Sequence, residues 1–140
     1  MLFAQSASAA SCRNFVHEAQ VSIGTPVILL RRYELEAADR LKGLDTRPFE
    51  YMRDEARKAT SVIADPDRLK DEETLHRCRN ATRPIRKICA GAAQALVDIL
   101  DRHVANPKPD YDKPQYAAAI TECEKLLGLK PLTSAIRGTD

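Results

Sequence analysis

The chain has 140 residues, enough for one domain with a single core, and its 44% hydrophobic and 30% charged content is an ordinary globular balance that argues against wholesale disorder. A formal charge of +2 is too mild to make nucleic acid or an anionic membrane the expected partner of the whole surface. No run approaches the ~18 consecutive apolar residues of a spanning helix, and abundant alanine with few glycines leans the chain toward helix.

Residues 1–11, MLFAQSASAAS, have the character of the back end of a secretory signal, with Ala7-Ser8-Ala9 as a small-x-small cleavage pattern; a floppy terminus is the plainer reading. Ala10-Ser11-Cys12 only faintly matches a lipoprotein site, because Ala9 stands where leucine is usual and lipidating Cys12 would leave an odd thiol. Either reading of 1–11 places the folded domain at 12–128, followed by a tail at 129–140.

The first predicted helix covers 11–23, with Cys12, Phe15, Val16, Ala19 and Ile23 on one face. Gly24 is expected to stop it. Thr25 then supplies an N-cap oxygen and Pro26 the first helical position of a second helix, to about Lys42, whose stripe is Val27, Leu30, Ala37, Leu41 and Leu44 and whose terminator is Gly43. A third helix starts near 46–48 and turns Phe49, Met52, Ala56, Ala59 and Ile63 inward, ending at Asp65-Pro66.

From Leu75 the stripe reads Leu75, Cys78, Thr82, Ile85, Cys89, Ala92, Leu96, Ile99 and His103 in nearly unbroken 3-4 alternation. Pro84 interrupts this run and removes the hydrogen bond to Asn80. Since the phase survives the proline, one long helix kinked at Pro84 is favoured over two helices joined by a turn. Residues 106–112 form a proline-rich loop. A fifth helix, capped by Asp112 and Gln115, buries Tyr116, Ile120, Cys123 and Leu127 and stops at Gly128, and one more turn fits at 132–137. No internal repeat or period-2 run appears. The fold class is all-α: an antiparallel helical bundle of about five helices, stapled by disulfides.

Four cysteines beside an export signal are expected to pair, and no C-x-x-C or zinc-ribbon spacing supports a metal. On one continuous helix Cys78 and Cys89 lie ~16 Å apart, too far to join. Counting away from the 106–112 loop brings Cys123 to Cys89 and leaves Cys12 for Cys78. A hairpin at Pro84 would instead pair Cys78 with Cys89 and Cys12 with Cys123.

His17, His76 and His103 stand alone, none at metal-ligand spacing from another. His103, at a helix C-terminus, is expected to be protonated and favoured by the helix dipole. No Gly-rich phosphate loop, G-x-S-x-G or H-E-x-x-H is present, so no enzyme activity and no cofactor are read from the chain. Glu34, Glu36, Asp39, Asp54, Glu55 and 71–73 alternate with cations on expected outer faces. Asn80-Ala81-Thr82 matches the N-glycosylation pattern inside a helix and is taken as chance.

One local anomaly remains: Arg79, Arg83, Arg86 and Lys87 fall on one arc of the long helix beside His76, and no acidic residue interrupts 77–87. This basic flank is the expected partner-binding surface. The functional expectation is an exported, non-catalytic binding protein (an inhibitor, immunity-type or accessory protein) whose partner is a protein with an acidic surface. A homodimer sharing the uncovered stripe of the long helix is a further expectation. The rival reading is a small-ligand sensor or carrier with a pocket between helices.

Overall fold

The computed structural model describes the backbone of residues 2–65, 72–108 and 113–138, and the side chains of these ranges except 2–11, 72–77 and 79. Four helices are present: α1 (Leu2–Leu41), α2 (Phe49–Ala64), α3 (Glu72–Ala105) and α4 (Lys113–Leu127), with no strand among the described residues. The all-α class holds, and among the described residues there are four helices rather than the expected five.

The correction falls at Gly24-Thr25-Pro26, where α1 runs straight through its internal proline. Thr25 does not cap a new helix. Its hydroxyl instead donates back to the carbonyl of Val21 at 3.4 Å. The physical reason is burial: Phe15, Ala19, Ile23, Val27, Leu30 and Ala37 all bury on one continuous face, and a break would throw half of them out of phase. Side-chain burial at ~1.5–3 kcal/mol per large residue outweighs the ~3 kcal/mol cost of a helical proline. The same reasoning applies at Pro84, which also lies inside one helix.

α1 ends where Gly43 turns left-handed at φ 76°, and Leu44 N–H donates to the Asp39 carbonyl at 2.8 Å. Leu44 lies beyond that stop and is 75% exposed, so it does not continue the buried stripe as expected. α4 ends in the same way, with Gly128 at φ 69° and Leu129 N–H on the Glu124 carbonyl.

α2 buries Phe49, Met52, Ala56, Ala59 and Ile63, the face its periodicity predicts. α3 buries Cys78, Thr82, Ile85, Cys89, Ala92, Leu96, Ile99 and His103. Their positions make α3 the central element, packed against α1, α2 and α4. From Cys78 to His103 that stripe is covered within one copy. Tyr33 of α1 meets Tyr51 of α2 edge-on, Arg53 of α2 bridges to Asp101 of α3 at 2.9 Å, and Cys89 of α3 joins Cys123 of α4.

Two disulfides staple the bundle: Cys12–Cys78 ties the early part of α1 to α3, and Cys89–Cys123 ties α3 to α4. Beyond α4 the chain folds back, and Ser134, Ile136 and Arg137 are buried.

Candidate functional site

An open groove of about 860 Å³ lies between α3 and α4. Its floor is built from Pro84, Ile88, Gly91 and Ala95 of α3 and Ala118 and Ala119 of α4. Several of these residues are small, and a Cβ added to Gly91 would meet nothing within 4 Å, so the space above it is open. Arg83 and Lys87 line the α3 side, while Gln115 and Glu122 line the α4 side.

This groove receives only part of the basic flank. Arg83 and Lys87 are exposed and reach it. Arg86 is half-buried and engaged in the protein's own interactions, so it is not the exposed cation the helical arc suggests. The side chains of His76 and Arg79 lie outside the described residues.

Two further grooves open on other faces. One of about 210 Å³ lies between α1 and α2 beside Thr25, Leu29 and Tyr33. The other, about 370 Å³, exposes an edge of the Cys12–Cys78 disulfide beside Arg13 and His17. Among the described residues no three His, Cys, Asp or Glu side chains converge as a metal site would require.

The feature that the sequence analysis missed is inside. Glu34 and Glu124, expected or left as surface carboxylates, are fully buried, and Glu36 is nearly so. Arg137 lies between the first two: its Nε donates to Glu34 Oε2 at 2.6 Å and its Nη2 to Glu34 Oε1 at 3.0 Å. The same guanidinium reaches Glu124 through Nη1 at 2.5 Å and Nη2 at 2.9 Å. Tyr116 and Ser134 hydroxyls donate to Glu34 at 2.5 and 2.6 Å, and Arg31 approaches Glu124 at 3.1 Å. Two carboxylates thus face two guanidinium groups, which is the condition under which buried charge is tolerated.

Burial on its own would lower the Arg137 pKa, but Glu124 and Glu34 more than offset this and raise it, so the side chain stays cationic. The Tyr116 hydroxyl is pushed well above its usual range by burial and then by Glu34. It remains a donor. Glu36 is held differently, by Arg47 at 2.7 Å and Arg32 at 3.2 Å near the surface.

A signal for the Glu34 site was present in the chain: Glu34 falls in phase with Leu30 and Ala37 on the buried stripe, where a carboxylate demands a partner. The identity of that partner, on a tail after the last helix, had no local signature.

His103 corrects another expectation. It stacks on Phe49 with ring centroids 4.9 Å apart, and its Nδ1 accepts from the Lys108 backbone N–H at 3.2 Å. Burial, with Lys113 nearby, drives its pKa down to about 4, so the ring is neutral rather than a dipole-stabilised cation. Its tautomer follows: an accepting Nδ1 leaves the proton on Nε2. Thr82 of the glycosylation-like triplet is buried within α3.

Comparison with protein-family models, curated proteins and solved structures finds no match. The functional reading therefore rests on this geometry.

Proposed function

We propose that the protein is a non-catalytic binding module acting outside the cytoplasm, and that its partner is a protein helix seated in the α3–α4 groove. The observation that carries this reading is the groove's composition: an apolar floor of small side chains edged on one side by Arg83 and Lys87. Such a surface suits an amphipathic helix with an apolar ridge and an acidic flank, the helix-in-groove mode of recognition. Glu122 on the opposite edge adds direction, because the partner's acidic flank faces α3 and any cation faces α4.

Two disulfides and the lack of any described helix apolar enough to cross a membrane are consistent with an exported protein. The rival, a small-ligand carrier, draws support from the groove's volume, which lies in the ~300–1,000 Å³ range of ligand pockets. Its openness to solvent favours the macromolecular occupant.

Selection from a display library of random helical peptides tests the proposal and does not require the natural partner to be in hand. Enriched peptides should carry Asp or Glu along one flank of an apolar ridge, and Arg83→Glu with Lys87→Glu should abolish their binding. Enrichment indifferent to that double reversal would sink the proposal. Saturable binding of dodecanoate in the groove, with no peptide enriched, would favour the carrier.

A further inference from the structure

α1 carries a second surface unrelated to the groove. On the side opposite its buried stripe, Val21 is 60% exposed, Ile28 55% and Leu29 44%, an apolar group that no other part of the described chain covers. Two pairs of exposed residues are placed symmetrically about Thr25. Val21 and Leu29 lie four positions to either side, and Glu18 and Arg32 lie seven to either side with opposite charges. Glu18, Val21, Thr25, Leu29 and Arg32 share one helical face, and each is at least partly exposed.

We propose that this face binds a second copy of the chain, through two α1 helices crossing antiparallel with a two-fold axis at Thr25. A two-fold interface must be self-complementary, since each residue meets its mirror position on the partner. Here the operation places Val21 of one copy against Leu29 of the other, and Glu18 against Arg32, each twice. Parallel pairing would set Glu18 against Glu18 and Arg32 against Arg32 and is disfavoured by both charges. Thr25, small and exposed at the crossing, allows close approach.

The groove between α1 and α2 lies on the same face, with Thr25, Pro26 and Leu29 in its wall, and gives the incoming Val21 a place to insert. Arg32 reaches Glu36 of its own helix at 3.2 Å while remaining largely exposed, so it has donors left for a Glu18 across the interface. The proposal does not depend on the α3–α4 reading, and none of its residues lines that groove.

Sedimentation velocity over the micromolar to high micromolar range is the test. The wild-type chain should show a concentration-dependent dimer, and Val21→Glu should leave a monomer with unchanged helical circular dichroism. Glu18→Arg and Arg32→Glu should each weaken dimerisation by roughly tenfold, because the ion pair occurs twice and each reversal sets like charges together. The double exchange, Glu18→Arg with Arg32→Glu, should restore it, which neither a folding defect nor loss of the Arg32–Glu36 contact would do. A wild-type monomer throughout the range overturns the proposal, as does a dimer insensitive to Val21→Glu or not rescued by the double exchange. So does a monomer that floats with phosphatidylcholine–phosphatidylglycerol vesicles through Val21, since lipid would then cover the face.

Discussion

The Arg137 clasp and the Arg83–Lys87 rim use cationic side chains in opposite ways. Arg137 is sealed between Glu34 and Glu124, with every contact made inside one chain. Arg83 and Lys87 stand in solvent at the edge of a groove. A buried guanidinium in low dielectric fixes structure, because no water is present to replace a lost partner, whereas an exposed one leaves the fold indifferent and is free to steer a ligand. The contrast teaches that cation placement along a sequence says little about role until burial is known.

The sharpest way to break the comparison is Arg137→Met. It leaves Glu34 buried without its cation and Glu124 with Arg31 alone, and should cost ~3–5 kcal/mol in urea unfolding, with release of the 129–138 segment seen as faster amide exchange. A loss under ~1 kcal/mol would mean that water reaches the cluster and that it is not sealed.

Disulfide removal comes next. The loops closed by Cys12–Cys78 and Cys89–Cys123 span 66 and 34 residues. In the chain-entropy model each contributes about 4 kcal/mol, so double alanine variants at either pair should lower the melting temperature comparably. Their kinetics should differ. Cys89 and Cys123 are fully buried, while Cys12 borders an open groove beside Arg13, a cation that favours a departing thiolate. Limiting reductant followed by alkylation and peptide mapping should therefore label Cys12 and Cys78 first. Equal labelling would place both bonds within reach of solvent.

Acid should reveal His103. Its folded pKa of about 4 lies below the unfolded value near 6.5, so the unfolded chain binds the extra proton between those pH values. The stabilisation is complete above pH ~6.5 and is lost as pH falls toward 4, by ~3 kcal/mol if the whole shift is realised. Urea midpoints at pH 7 and pH 4.5 should show a larger drop for wild type than for His103→Gln. An imidazole titrating near its ordinary value by NMR would refute the assignment.

The smallest effect is expected at the rim. Arg83→Glu with Lys87→Glu should change unfolding free energy by less than ~0.5 kcal/mol, because neither side chain is buried. A larger loss would show that these cations belong to the fold, and the contrast with Arg137 would collapse.

Particular elements show how far the sequence could be read. The inward faces of α2 and of α3 from Cys78 to His103 were legible because a 3.6-residue period is a local property of the chain. The pairs Cys12–Cys78 and Cys89–Cys123 followed from reading one continuous helix through Pro84, on which Cys78 and Cys89 are too far apart to join, and from counting away from the 106–112 loop, which brings Cys123 to Cys89. Pro26 was misread although the stripe from Ala19 to Leu30 keeps its phase through it, the same continuity that carried the helix past Pro84. The protonation expected of His103 failed because the dipole argument assumes an exposed ring, and Phe49 covers it.

By itself, then, the sequence determined what neighbours along a helix impose: class, apolar faces, glycine stops at Gly43 and Gly128, and which cysteines could meet. The tertiary structure alone decided which charges are interior. Burying Glu34 is feasible only because Arg137, 103 positions away, brings two donors to its oxygens. A carboxylate's tolerance of the core depends on the partner that reaches it, and no local pattern encodes an encounter across that distance.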